Sequence, residues 1–538
     1  MKGTLFFCLT LLLGAAVPGA AQTAVREGVV IDAKYRTPVP YAALYIQGTG
    51  IGTVAGSVGE FSFAIPDSLA DRPLTVVREG FEPMLFSPKD AAEAPASGRV
   101  TVALQPDDFA ARSQAIRESM KESRGRSGNA LSGALKFVMN DWVALGNPET
   151  NLFDFGRLQT LPTYNPVEGF RLRAGLASNS RLSPYLFVRG YAAYGFGDRR
   201  LKYRGEAICS FTRKAYHEEE FPKNSLRLVY ENDLYSPGES HPYALNDRLL
   251  ITYRRSLNEA VYRNFAEINY EREYAGGFAY TLRLRRSNFA PQGTLQFDRL
   301  QDDGTVIPVA ILKTAEAGIL LRYSVREAYI QQKRKKIPLE ITSPVFILSH
   351  SVGLSGFMGS ETACHRTEFS VQKRFLLGRS GRLDVAGEAM KVWNSVPFPL
   401  LTYANQRHQR HIENSFFFLN RALEFMSDEQ YTLRMAFVGD DLLLSKLPVT
   451  NMLRMRELIS LRASCGRLSD RNNPSLRPEG LYRFPSVSHP YDGFTPYAEG
   501  TVGITNIFGL LRVEYVHRLT YRHHPDALLG AVRVDITL

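Results

Sequence analysis

After residue 22 the sequence has no apolar run approaching the length of a spanning helix, which takes about 20 such residues. Any later entry into a membrane would have to be made as a closed barrel. Cysteine is scarce: of 4 in the chain, Cys209, Cys364 and Cys465 lie beyond the first 22 residues. An odd, widely spaced set excludes a disulfide framework and implies no metal site. Cys209 shares strand parity with Ala207 and Phe211, and Cys465 with Ile459, Leu461 and Ala463, so both read as small apolar fillers. No nucleophile elbow, P-loop or paired catalytic carboxylate occurs. The sequence therefore assigns no catalytic residue, no cofactor-binding residue and no metal ligand, and reads as a non-enzyme. His-x-x-Glu occurs at His217/Glu220 and His365/Glu368. The first sits in a charged loop. The second lies on an alternating run, where residues three apart face opposite sides of a sheet. His408 and His411 have no acidic partners nearby in the chain.

What is present begins with an address. Met1-Lys2, the apolar run Leu5 to Leu13 and the small residues Gly19-Ala20-Ala21-Gln22 read as a secretory signal peptide over residues 1–22. Net charge is +11. For an exported chain that balance points to lipid headgroups and lipopolysaccharide phosphate, not to nucleic acid. The densest basic run, Lys333-Arg334-Lys335-Lys336, precedes Ile337-Pro338 in a loop.

From Tyr164 onward one plan repeats: about ten alternating residues, then a turn. In the first copy Phe170, Leu172, Ala174 and Leu176 share one face, while Arg171 and Arg173 share the other. Large aliphatics opposite arginines separate a greasy phase from a wet one. Further copies include Tyr185 to Phe196, Leu226 to Leu234, Phe278 to Arg286, Thr432 to Val438, Leu458 to Cys465, Tyr497 to Thr505 and Leu511 to Tyr515. The pattern predicts an outer-membrane β-barrel over 151–538 with about 16 antiparallel strands. Tyrosine and phenylalanine are abundant, at 26 and 32, against 2 tryptophans. Tyr185, Tyr194, Tyr203, Tyr235, Tyr497 and Tyr515 fall near strand ends, as interfacial girdles require.

Residues 25–106 differ in texture. Short β-rich runs (Gly28 to Asp32, Tyr41 to Ile46, Gly59 to Phe63, Leu74 to Val77, Arg99 to Leu104) alternate with Gly/Pro turns, which predicts a small β-sandwich. Residues 107–150 lose the strand pattern. Phe109, Ile116 and Met120, then Leu131, Leu135, Val138, Trp142 and Leu145, predict a partly helical connector. The fold class expected is all-β: a sandwich, a short helical connector and a large transmembrane barrel.

Gly28/Val30/Asp32, Pro38-Val39-Pro40, Gly48-Thr49, Gly59-Glu60-Phe61 and Gly80-Phe81 together resemble the carboxypeptidase-regulatory-like domain. Seven later blocks resemble an outer-membrane barrel family of unknown function that carries such a domain in front. They are Phe155-Gly156, Tyr164 to Gly175, Tyr194 to Asp198, Lys202-Tyr203, Leu419 to Asp428, Leu444 to Pro448 and Tyr497 to Phe508. The barrel half is also distantly similar to the barrel-assembly and two-partner-secretion superfamily. Val188-Arg189-Gly190-Tyr191 resembles a loop motif of that superfamily but lies on an early strand here, so its role is not carried over. The resemblances imply a barrel for translocation, outer-membrane assembly or surface display, with the sandwich as a periplasmic interaction module and a periplasmic or surface protein as partner. Two other readings stand beside it: an accessory of glycan or peptide uptake, and a barrel-embedded hydrolase.

Overall fold

The computed structural model describes residues 23–105 and 142–536 apart from stretches of which the longest are 87–98, 236–258 and 405–416. The leader, residues 107–141 of the connector, His408 and His411, and Leu538 lie outside the described residues.

Two small sheets build the N-terminal unit. One takes β1 (Thr23–Asp32), β4 (Glu60–Pro66) and β7 (Arg99–Leu104). The other takes β2 (Ala43–Ile46), β3 (Gly52–Val54), β5 (Leu74–Val77) and β6 (Met84–Phe86). β1 runs antiparallel to β4 and parallel to β7. Val30, Leu44, Ile46, Phe61, Phe63, Val76 and Val102 meet in one apolar core. The five β-rich runs seen in the sequence are strands here. β3 and β6, three residues each, are too short to show a period.

The rest is one 18-stranded sheet closed on itself. Three short strands form its closing edge: β8 (Trp142–Ala144), β9 (Phe153–Gly156) and β10 (Pro162–Asn165). The remaining fifteen begin with β11 (Gly169–Ser178), β12 (Leu186–Gly195), β13 (Arg200–Ser210), β14 (Asn224–Tyr235), β15 (Glu259–Glu273) and β16 (Phe278–Gly293). After a loop hairpin, β17 (Asp298–Leu300) with β18 (Val306–Pro308), comes β19 (Leu312–Ser324). A second hairpin, β20 (Ala328–Gln332) with β21 (Lys335–Glu340), precedes β22 (Val345–Gly353), β23 (Cys364–Leu376) and β24 (Gly381–Val392). A third small pair, β25 (Thr402–Tyr403) with β26 (Met426–Ser427), precedes β27 (Glu429–Gly439) and β28 (Arg456–Arg467). β29 (Tyr497–Ile507), β30 (Leu511–Arg518) and β31 (Gly530–Ile536) complete the wall.

β9 and β10 lie end to end along β11, so they share one place in the ring. β8 bridges β31 and β9 and closes it. Taken as one interrupted strand, β9 and β10 leave 17 places in the ring, one more than the expected number of about 16. Trp142 does not continue a helix. The aromatic and β-branched pair Trp142-Val143 suits a strand, and the ring supplies an edge on each side.

The wall is inside out relative to a soluble protein. Arg171 and Arg173 are 2% and 5% exposed, whereas Leu172 and Leu176 are 47% and 46% exposed. The alternation thus points charge to the lumen and hydrocarbon outward, as a bilayer demands. Tyr185, Tyr194 and Tyr515 face outward, but Tyr235 and Tyr497 are buried within. Their parity is luminal: the Tyr497 hydroxyl donates to Glu499, and that of Tyr235 to Glu231. The outward aromatic belt includes instead Tyr270, Tyr274, Phe278 and Tyr280, whose ring centroids lie 6.0–6.3 Å apart.

The short connections between β15 and β16 and between β23 and β24 mark one end of the barrel, and the long ones between β24 and β27 and between β28 and β29 the other. In barrels of this kind the long loops face outside. The basic hairpin β20–β21 connects strands at the short-turn end.

Candidate functional site

Among the buried ionic clusters of the described lumen, two draw on the blocks that carry the family resemblance. The first starts at a turn. The Asn165 amide oxygen accepts the N–H groups of Val167 and Glu168, and Gly169 takes a φ of 64°, so the chain reverses from β10 into β11. This turn aims Glu168 at Lys202 Nζ, 2.8 Å away, and at Arg171, 3.2 Å away. Lys202 is wholly buried and reaches Asp198 at 2.6 Å. Arg171 reaches Asp233 at 2.8 Å, and the Tyr191 hydroxyl donates to the same carboxylate. A Cβ on Gly195 would stand 2.6 Å from Lys202 Nζ, which explains a glycine at that point of the Tyr194 to Asp198 block. Arg171 and Lys202, set among Glu168, Asp198 and Asp233, and the Tyr191 hydroxyl tie β11, β12, β13 and β14 into one sector. An unmatched charge there would cost several kcal/mol.

The second cluster belongs to the loop between β24 and β27. Its end, Phe417 to Asp428, folds into the barrel against the wall. The N–H groups of Phe418 and Leu419 donate to the Glu499 carboxylate on β29, at 2.8 and 2.7 Å. Glu424 accepts from Arg518 Nη2 at 2.5 Å, from the Arg421 N–H at 3.0 Å and from His524 Nδ1 at 3.1 Å. Arg518, on β30, is fully buried and lies over the Tyr497 ring at 4.8 Å. The Phe425 ring packs between Tyr491, Tyr497 and Tyr521 with centroids 4.8–4.9 Å away. Burial works against the Glu424 carboxylate, but the Arg518 bond and the Arg421 N–H hold its pKa below the usual range. Burial pushes His524 below an ordinary imidazole, with the Glu424 bond only partly offsetting it, so it sits neutral beside the carboxylate at pH 7.

The loop end is thus a latch on the wall, and the long connections pack an apolar lid against its Leu423 and Met426. Leu295, Phe297, Val396, Phe398, Leu401, Leu423, Met426 and Tyr482 pack together, and Cys364 is buried among them. Cys209 faces outward and is exposed, while Cys465 is half-buried. The Glu220 carboxylate accepts the N–H groups of Ala215, Tyr216 and His217, so it caps its own loop. His365 and Glu368 stand three apart on β23 and project to opposite faces. Sequence reading marked the loop block and the β29 block but not their contact. It missed Arg518 and His524 altogether, because both lie about a hundred residues from Glu424 and only the loop's insertion brings them near.

A closed antiparallel sheet, apolar outside and charged within, defines an outer-membrane β-barrel. The chain belongs to a family of unknown function, DUF5686, whose C-terminal domain matches residues 146–465. None of the curated proteins matches it. Among solved structures it is similar to BamA from Haemophilus ducreyi lacking POTRA domains 1-3, with 10% identity, a TM-score of 0.42, and 82% of this chain and 88% of that one covered. It is also similar to CdiB from Escherichia coli (9% identity, TM-score 0.37) and CdiB from Acinetobacter baumannii (11%, 0.37). The match covers 69% and 70% of this chain, and 60% and 58% of the respective CdiB chains.

Proposed function

We propose that this outer-membrane barrel moves or assembles polypeptide, as a translocation, assembly or surface-display device, and catalyses no reaction. The observation that carries the reading is the seam. β8 pairs with β9 at three positions only, Trp142↔Gly156, Val143↔Phe155 and Ala144↔Asp154. β15 and β16, by contrast, stay in register from Glu259↔Gly293 to Glu273↔Ala279. Each ladder hydrogen bond contributes about 1 kcal/mol net, so the ring is held least firmly where it closes. A strand edge released there is a template for another chain. The loop end held by Glu499 and Arg518 lies against the luminal wall, so passage through the lumen would displace it. The N-terminal sandwich is the periplasmic interaction module in this reading, and a periplasmic or surface protein is its partner.

The test is a locked seam. In a chain with Cys209, Cys364 and Cys465 changed to serine, Val143→Cys is combined with single cysteines scanned along Gly530 to Val534. Oxidation of the bridged pair should alter the set of proteins at the cell surface, and reduction should restore it. A locked barrel that leaves the surface set unchanged refutes the reading. A defect confined to glycan or peptide uptake would favour the nutrient accessory instead.

A further inference from the structure

The outward wall of β13 to β16 is not smooth. It holds a recess of about 530 Å³ that is lined mainly by apolar surface. Gly205 and Ala266 line it on either side of Tyr230, with Leu228 and Ile268 in the next row of the wall. A Cβ on Gly205 would meet nothing within 4 Å, so the missing side chain leaves real space. Met358 and Arg286 line it as well. Met358 is delivered by the turn Phe357–Gly359 between β22 and β23, which folds back beside β19. Left-handed backbone at Gly356, Met358 and Gly359, with φ of 80°, 49° and 79°, makes that fold-back possible.

Arg286 is out of keeping with its face. Arg285 points into the lumen and pairs with Glu267, while Arg286, the next residue, is exposed on the lipid side. Among the described residues no carboxylate pairs with Arg286, and its Nη2 lies 3.7 Å from the position a Cβ on Gly359 would take. A guanidinium set in a hydrocarbon-facing wall needs an anion, and here the surroundings must supply it. Arginine grips phosphate through paired N–H bonds. The turn over Arg286 belongs to the long-loop end, which faces outside, and the phosphorylated lipid there is lipopolysaccharide.

We propose that this recess is a lipopolysaccharide site, one acyl chain of the lipid anchor lying over Gly205 and Ala266 and one phosphate held by Arg286. The reading is independent of any role in transport. The experiment is native mass spectrometry of the full-length barrel in detergent, titrated with lipid A and separately with phosphatidylglycerol. One lipid A should be retained by the wild type. Arg286→Gln should weaken retention about tenfold, the loss expected for a charge-assisted contact. Gly205→Leu, which fills the recess without backbone strain, should weaken it as well. Both variants should still migrate as folded barrels before boiling. Unchanged lipid A retention in both variants overturns the proposal. So does phosphatidylglycerol binding of equal strength that Gly205→Leu removes.

Discussion

Replacing Glu424 by alanine should free the luminal loop without unfolding the barrel. The substitution strips a fully buried guanidinium, Arg518, of its carboxylate, leaving its Nε bond to the Thr520 carbonyl at 3.2 Å. Breaking a buried pair from one side costs about 3–5 kcal/mol. The loop can avoid most of that cost by leaving, since water then reaches Arg518. What still holds it are the two N–H bonds to Glu499, worth about 1.5–3 kcal/mol each, and the ring packing of Phe425. At about 1.4 kcal/mol per decade, the released fraction should rise by two to three decades. Two readouts follow it. Single-channel conductance in planar bilayers should rise from near silence to frequent openings. A cysteine at Phe418, 4% exposed in the closed barrel, should become rapidly alkylated. Glu424→Gln, which keeps a hydrogen-bond acceptor but not the charge, should fall between wild type and alanine. Unchanged conductance and unchanged labelling in Glu424→Ala would refute the latch.

The pH dependence has a fixed sign. His524 and Glu424 both have folded pKa values below their ordinary ones. Such groups contribute stability above their unfolded pKa, about 6.5 for histidine and about 4.3 for glutamate, and lose it as pH falls toward the folded value. Conductance should therefore rise from pH 7 to 5, and His524→Gln should flatten that limb of the curve. Leu282→Arg should destabilise the barrel by about 2–4 kcal/mol in urea titrations in vesicles if the site is near midplane. Arg283→Leu should cost less, because Glu267, 3.6 Å from Arg283, keeps its closer partner Arg285. Residues 25–106 alone should fold, since Val30, Leu44, Phe61 and Val102 already share a core; an unfolded circular dichroism spectrum would place the boundary elsewhere.

The wall was legible in the sequence because a bilayer imposes period two on every spanning strand. Arg171 and Leu172 could be sorted into lumen and lipid from parity alone. Parity says less about strand ends, which is why Tyr235 and Tyr497, inward by one residue, read as girdle. Leu135, Val138, Trp142 and Leu145 have helical spacing, yet Trp142 lies in a strand because ring closure outweighs local period there. The latch was only half legible. Leu419 to Asp428 and Tyr497 to Phe508 stood out as blocks, but no local rule pairs Glu424 with Arg518 across the chain. One available signal went unused: the doublet Arg285-Arg286 breaks the alternation, and only one of two neighbouring arginines can face water.

The placement of the clusters decides where the ring can yield. Glu168, Lys202, Asp198, Arg171 and Asp233 cross-link β11 through β14 on one side of the seam. Glu499 and Arg518, holding the loop, brace β29 and β30 on the other, and Arg533 of β31 reaches Glu514 of β30 at 3.3 Å. Between them stand β8 and β9, joined by a three-residue ladder, with Asp154 held by Asn151 at 2.8 Å and by the Tyr216 hydroxyl. Deformation concentrates in the least connected element when its flanks are stiff. Amide hydrogen exchange in lipid nanodiscs should therefore be faster in Trp142 to Ala144 and in Gly530 to Val534 than in the central residues of β13 and β29. Lys202→Met should speed exchange in β11 and β13 while leaving β31 unchanged. If the seam strands are instead as protected as β13, the ring has no preferred line of opening and the clusters brace it evenly.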